Sequence, residues 1–281
     1  MNVLITGARG MLGQAMVNEF MAKGWNVLAT DHSTLDITDF PAVRAAVAAQ
    51  RPQLVVNCAA YTAVDKAETE PGPAFAVNAL GPRNLALACL ESGCALLHIS
   101  TDYVFDGEKG EPYEVWDSPN PLNIYGKSKL WGENYVRSLT AHHYLVRTSW
   151  LFGPGGKNFV SAMLNLAANK APLRVVDDQL GCPTYTLDLA RACSSLVETG
   201  AFGIYHVTNQ GSTTWFKFAV EVFRQAGLQV DVVPIRTGEL LRPARRPMNS
   251  CLNSFPLRET VGYLLPAWQD ALSRFLLYLK A

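Results

Sequence analysis

Short apolar runs alternate with amphipathic stretches through the first half of the chain, and the change of period between two and about 3.6 marks each element. Residues 2–6 (Asn-Val-Leu-Ile-Thr) read as a strand, 14–23 as a helix, 25–30 as a second strand and 41–50 as a helix with Pro41 in its first turn. A third strand at 54–60, a long helix at 73–92, a fourth strand at 95–100, a helix at 122–137 and a fifth strand at 144–153 continue the series. Alternation of this kind predicts an α/β chain on a parallel sheet. Beyond Gly153 it loosens, with helices expected at 158–169, 187–199, 214–225 and 268–280 and strands at 173–176 and 204–208. No linker, internal repeat or low-complexity segment stands out.

The first strand runs straight into Gly7-Ala8-Arg9-Gly10-Met11-Leu12-Gly13. A dinucleotide pyrophosphate needs backbone that approaches without a Cβ in the way, and a helix N-terminus whose unpaired N–H groups and dipole favour anions. Gly7 would make the turn, Gly10 admit the phosphates and Gly13 seat the helix against the strand. The spacing, G-x-x-G-x-x-G, departs from the usual G-x-G-x-x-G, so its weight comes from its place at the head of a βαβ unit. Asp31 ends the second strand where an acidic residue bonds the adenine ribose hydroxyl, which favours NADH. Arg9 and His32 can instead pair with a 2′-phosphate, which favours NADPH, so both cofactors stay open. Asp36 and Ile37 suit the edge and face of an adenine ring, or equally a solvated loop capping the next helix.

Composition narrows the function classes. A chain of 281 residues accommodates one large or two modest domains with a substantial core. Basic and acidic residues balance at 24 each, so no net charge draws in nucleic acid or an anionic membrane. Cys58, Cys89, Cys94, Cys182, Cys193 and Cys251 form no C-x-x-C pair and no metal-ligand spacing. They read as buried free thiols in a reducing compartment, with no metal site. The N-terminus is a core strand in place of a leader, and no apolar run approaches a membrane span, so a soluble cytoplasmic protein is expected.

Ligands bind outside the carboxyl ends of parallel strands. The third strand ends in Asn57-Cys58-Ala59-Ala60, whose small side chains leave room for one, and 61–68 would form a loop above it. The fourth delivers Thr101, whose hydroxyl can reach a substrate carbonyl. Tyr125 and Lys129 stand four apart on one helix face, so the ammonium can lie beneath the phenol in a general-acid arrangement. Asn78, in mid-helix, reads as a polar residue bonding locally. The densest basic cluster, Arg242-Pro243-Ala244-Arg245-Arg246-Pro247-Met248-Asn249-Ser250, is a solvated loop or, placed over a cleft, a clamp for a diphosphate.

With these residues in hand, four further stretches carry a resemblance: Thr62-Ala63-Val64-Asp65-Lys66-Ala67-Glu68, Ser100-Thr101-Asp102-Tyr103-Val104-Phe105-Asp106-Gly107, Arg147-Thr148-Ser149-Trp150, and Ala244-Arg245-Arg246-Pro247 with Asn249-Ser250. The chain resembles the extended short-chain dehydrogenase/reductases and, more narrowly, the dTDP-4-dehydrorhamnose reductase family. The resemblance implies a Rossmann-type doubly wound parallel sheet in an NAD(P)-binding domain at 1–152. It implies a smaller C-terminal α/β substrate domain at 153–281, with some segments returning to the sheet. It implies NADPH or NADH contacts at Gly10, Met11, Leu12, Asp31, Asp36, Ile37, Ala60, Tyr61 and Thr62, with Tyr125 and Lys129 touching the nicotinamide ribose. Thr101, Tyr125 and Lys129 would be catalytic. Asp102 and Trp150 would contact the sugar nucleotide, Arg245 or Arg246 its diphosphate, and Asn78 would support the lysine.

The implied reaction is hydride transfer to the C4 ketone of a dTDP-4-dehydro-6-deoxysugar, the last step of dTDP-L-rhamnose synthesis. Two alternatives are a reductase of another 4-keto-6-deoxy nucleotide sugar and a regulatory subunit that binds NADP without turnover; the intact Thr101, Tyr125 and Lys129 favour turnover. The partner expected is a dTDP-sugar, with no nucleic acid and no membrane, and a monomer or homodimer. Some members of the family dimerise around a metal held by acidic side chains near the first helix. Ala15 stands where such an acid would be, which argues against that dimer here.

Overall fold

Six parallel strands carry the fold in this computed structural model, which describes residues 1–167 and 172–280. They are β1 (Asn2–Thr6), β2 (Asn26–Ala29), β3 (Leu54–Asn57), β4 (Ala95–Thr101), β5 (His143–Thr148) and the strand Gly203–His206. Across the sheet the order is Gly203–His206, β5, β4, β3, β1, β2. The chain therefore moves outward in both directions from β1 and β3, and the carboxyl ends of these two strands form the switch point at which such sheets bind ligands. Val3 and Ile5 of β1 are buried in the core on one face and Leu4 in the core on the other. This is why β1 reads as a continuous apolar run, with no polar alternation. Each such side chain adds about 1.5–3 kcal/mol by burial.

Helix α1 (Met11–Ala22) packs with the helix Thr186–Thr199 on one face. On the other lie α2 (Phe40–Gln50), then, past the short α3 (Val64–Ala67) and α4 (Pro71–Phe75), α5 (Gly81–Ser92) and α6 (Ile124–Leu139). A second, aromatic core assembles Phe152, Tyr185, Phe218, Trp268 and Phe275. Three two-stranded ladders surround it: Leu151–Phe152 with Thr184–Tyr185, Leu173–Val176 with Val232–Ile235, and Leu180–Gly181 with Thr213–Thr214. All six cysteines are free. Among the described residues no helix is long and apolar enough to cross a membrane.

Several boundaries differ from the sequence reading. Helix α1 begins at Met11 because Gly10 is its cap, with extended backbone, so Met11, Leu12 and Gly13 form its first turn. The third strand stops at Asn57, whose Oδ1 accepts from the Ala59 amide at 3.1 Å and turns the chain. The loop expected at 61–68 carries α3. The long helix expected at 73–92 is divided into α4 and α5 by a π turn at Ala76–Leu80. The helix expected at 158–169 spans Phe159–Leu166, and its last two expected positions, 168 and 169, lie outside the described residues. The fifth strand expected at 144–153 is interrupted after Thr148 and resumes as Leu151–Phe152. Two-residue strands leave no periodicity to read, and Leu180–Gly181, Thr184–Tyr185 and Thr213–Thr214 are additions to the sequence reading, as is Val232–Ile235.

Candidate active site

The floor of the site is the glycine turn. A Cβ on Gly13 would collide with the Gly7 carbonyl oxygen, and one on Gly7, at φ 68°, would lie 2.5 Å from the Ala59 amide nitrogen. These two glycines are dictated by packing. Gly10 is different, because a Cβ there would meet only the Gly7 oxygen at 3.3 Å while the residue faces a cleft of about 700 Å³. Its bare backbone at the start of α1 fits a diphosphate approaching the helix N-terminus. Beyond α1, Asp31 and Arg9 line a second hollow of about 260 Å³. Arg9 Nε lies 2.5 Å from Asp31 Oδ2, while the other carboxylate oxygen accepts from the Ser33 amide at 2.9 Å and its hydroxyl at 2.6 Å. The Ser33 hydroxyl and amide, then Arg9, hold this carboxyl below its usual range.

Over the switch point stand the three expected chemical residues. Thr101 ends β4, its hydroxyl donating to Asp102 Oδ1 at 2.8 Å and accepting from the Tyr103 amide at 3.2 Å. Tyr125 and Lys129 occupy successive turns of α6, and all three line the cleft. The N-terminus of α6 is fixed twice: Asn123 Oδ1 accepts from the Gly126 amide and Glu68 Oε1 from the Ile124 amide, both at 2.8 Å. Burial pushes the Tyr125 phenol up to about 12, opposed by the neighbouring Thr101 hydroxyl and reinforced by Asp102. Burial pushes the Lys129 ammonium down to about 8, with Glu133 and Cys58 pulling it back. Lys129 Nζ donates to the Ile99 carbonyl at 2.6 Å, so the cation rests on β4.

Asp102 is buried, and its Oδ2 finds no hydrogen-bond donor among the described residues. Burial, against the Ser250 and Thr101 hydroxyls, pushes this carboxyl up to about 6. An unpaired acceptor on a cleft wall is suited to a ligand hydroxyl. Trp150, which lines the same cleft, sits at φ 48°, a strained conformation for a bulky residue. Its ring stacks on Trp215 at 3.4 Å and 7°, and a Cβ on Gly181 would collide with it.

The cleft wall also contains Gly10, Met11, Leu12, Gly13, Ala60 and Thr62. Other expected residues stand apart. Ile37 is buried against Gly81 in the sheet core, and Asp36 Oδ1 is taken by the amide and hydroxyl of Thr38 at 2.9 and 2.8 Å. Tyr61 has its backbone held by Asn78, whose Oδ1 accepts from the Tyr61 amide at 2.8 Å and whose Nδ2 donates to the Tyr61 carbonyl at 3.0 Å. From its π turn, Asn78 also donates to the Ser128 hydroxyl at 3.0 Å, so its contacts are with the cofactor-side loop and with the residue beside Lys129. Arg245 is exposed and its carbonyl accepts from Asn123 Nδ2 at 2.7 Å. Arg246 is engaged by Asp65, Nη1 to Oδ1 at 2.6 Å and Nη2 to Oδ2 at 2.8 Å.

Four side chains at the site have no role legible in the sequence. Asp65 anchors Arg246 and Arg242, and Glu68 caps α6. Lys157 and Trp215 line the cleft from the C-terminal half. Within 62–68 the two acids look like any pair on an exposed turn. Lys157 lies in a Gly-Pro-Gly-Gly-Lys turn, and its charge there is the one signal that could mark it as facing the glycine turn. Nothing local distinguishes Trp215.

A doubly wound sheet, a glycine turn at its switch point and a Thr–Tyr–Lys group over the same cleft define a reductase of the extended short-chain dehydrogenase/reductase class. Residues 1–280 match the model of the RmlD substrate binding domain family. A dTDP-4-dehydrorhamnose reductase of Streptomyces griseus is 46% identical over 277 residues, 96% of this chain and 91% of that protein. The crystal structure of a dTDP-4-dehydrorhamnose reductase of Clostridium acetobutylicum superposes with a TM-score of 0.98 at 44% identity, covering 100% of both chains. One from Bacillus anthracis, in complex with NADP, superposes at 0.96 with 41% identity, covering 100% of this chain and 99% of that one. The chain belongs to the dTDP-4-dehydrorhamnose reductase family.

Proposed function

We propose that the chain reduces the C4 ketone of dTDP-4-dehydro-L-rhamnose to give dTDP-L-rhamnose, with NADPH or NADH as reductant. The observation that carries this is the convergence of Thr101, Tyr125 and Lys129 on the cleft into which the glycine turn opens. The dinucleotide supplies the hydride when bound. Gly10 and the first turn of α1 would hold its diphosphate, and Lys157, from the facing loop, would add a positive charge. At neutral pH the Tyr125 phenol, pushed up to about 12, is fully protonated and so a competent proton donor. Thr101 would hydrogen-bond the oxygen that becomes the alkoxide, and Lys129 would steady the phenolate left behind and the ribose. Asp102 Oδ2 would accept from a sugar hydroxyl and Trp150 would cover the sugar ring. Arg246, held by Asp65, would face the substrate diphosphate. We place the chain in the cytoplasm, a reducing compartment that suits its six free thiols.

The test is to supply purified protein with the keto sugar, generated by the epimerase that precedes this reaction, and follow NADPH and NADH oxidation separately while identifying the product. Oxidation with formation of dTDP-L-rhamnose is expected. Oxidation only with a different keto sugar would reassign the substrate, and cofactor binding without oxidation would remove the enzymatic reading.

A further inference from the structure

Behind the Thr–Tyr–Lys group lies a buried ion pair that has no task in the reaction as proposed. Glu133 is fully buried on α6, one turn beyond Lys129, and Arg147 on β5 is 1% exposed. Glu133 Oε2 accepts from Arg147 Nη2 at 2.7 Å, and Oε1 accepts from Arg147 Nε at 3.0 Å and from the Ser100 hydroxyl at 2.5 Å. Arg147 Nη1 lies 3.3 Å from His206 Nε2. A guanidinium can only donate, so Nε2 is the acceptor and His206 is neutral, its Nδ1–H directed at the Tyr113 carbonyl 3.0 Å away. Among the described residues the guanidinium charge thus has one counter-charge in its shell, Glu133.

Taking two charges out of water is costly, and a packed apolar pair would stabilise this core at least as well. What an apolar pair would not do is fix register. Lys129 binds the Ile99 carbonyl and Glu133 the Ser100 hydroxyl, adjacent residues of β4, and Thr101 is next. Two successive turns of α6 are therefore pinned to the two residues before the catalytic threonine. Lys129 is faced by the Cys58 thiol after β3, by His98 on β4, by Tyr125 one turn back and by Glu133 one turn forward. Of these, Glu133 is the one carboxylate side chain.

We propose that Glu133 is a positioning residue of the reductase: paired with Arg147, it sets the register of α6 on β4 and keeps Lys129 in its charged form. This rests on the proposed function, in which Lys129 must be charged. Burial is the larger influence on Lys129 and acts against the charge, so removing Glu133 takes away the main opposing one.

The experiment follows the Lys129 titration directly, by NMR of protein carrying 13C-labelled lysine, with the resonance assigned by its absence in Lys129→Met. This readout does not depend on turnover, so an inactive wild-type protein would sink the functional reading without touching the test of Glu133. In folded Glu133→Gln the midpoint is expected to fall by about one pH unit, with kcat reduced more than KM and the high-pH limb of the rate profile moving down with it. Glu133→Asp, which keeps the charge, should bring the midpoint back toward wild type. If Glu133→Gln unfolds because Arg147 is left unpaired, Glu133→Gln combined with Arg147→Met removes both charges, and its midpoint should also lie below wild type. A midpoint unchanged in either folded variant would overturn the proposal.

Discussion

Lys129 Nζ and the Ile99 carbonyl oxygen are 2.6 Å apart, so the cation of the site is seated on the strand that carries Thr101. Burial brings this ammonium down to about 8 from an ordinary value near 10.5. Its folded-state value is depressed, so the charged form is present at neutrality and is lost as pH rises through about 8. The rate of reduction should therefore fall above pH 8 and hold its plateau below it. A profile of kcat/KM against pH checks this, and Lys129→Met should remove the limb together with most of the activity.

Tyr125→Phe deletes the proposed proton donor while leaving the ring and the glycine turn in place. Turnover should drop by about 10²–10⁴, with cofactor affinity unchanged by fluorescence titration. Wild-type turnover in this variant would show that the proton comes from elsewhere.

Asp65 holds Arg246 through two hydrogen bonds and Arg242 through one at 3.1 Å, and these bonds pull its carboxyl well below the usual range. If Arg246 binds the substrate diphosphate, Arg246→Ala should raise KM for the nucleotide sugar by about ten- to a hundredfold, as charge-assisted hydrogen bonds do when lost. Asp65→Asn should raise it less, by loosening the guanidinium. Unchanged KM in both would end the clamp reading, and Arg245→Ala, at an exposed side chain, serves as the comparison.

Lys157 and Lys129 are the cations that line the cleft among the described residues, and Lys157 is exposed. Lys157→Ala should weaken NADPH binding several-fold at low ionic strength, and the deficit should shrink as salt is added. A salt-independent loss would point to a disturbed loop and not to a missing charge.

His206 is buried beside Arg147, and burial first, then that guanidinium, brings it down to about 3. Unfolded, it titrates near pH ~6.5. Because the folded value is the lower one, its contribution is complete above ~6.5 and is lost as pH falls toward 3, at about 1.4 kcal/mol per pH unit. Urea unfolding between pH 7.5 and 5 should show stability lost more steeply in the wild type than in His206→Gln; His98, which burial lowers, adds to the loss in both, and Asp102, held up to about 6, opposes it in both.

The sheet is legible in the sequence because β1, β3 and β4 are buried on both faces, and burial on both faces writes itself as unbroken apolar runs such as Val3-Leu4-Ile5 and Leu54-Val55-Val56. Gly7, Gly13, Thr101 and the Tyr125–Lys129 spacing are readable for a related reason: each acts through backbone or through a fixed helical offset. Contacts between distant residues leave no such trace. Nothing near Arg246 in sequence announces Asp65, 181 positions away, and nothing near Lys129 announces that its partner is a backbone carbonyl on β4. The basic cluster is visible by its charge alone, and charge does not say which carboxylate takes it.

The π turn at Ala76–Leu80 holds one residue more than a regular helix would use, and Asn78 is in it. Deleting Asn78 would join α4 and α5 into a single, more regular rod, with the flanking turns left close to their present register. By propensity such a deletion is an improvement. It would nevertheless release the Tyr61 backbone and the Ser128 hydroxyl together, since one amide holds both. A design procedure that rewards ideal helices would make that edit early, and would produce a sturdier protein whose Tyr61 segment is no longer tied to α6.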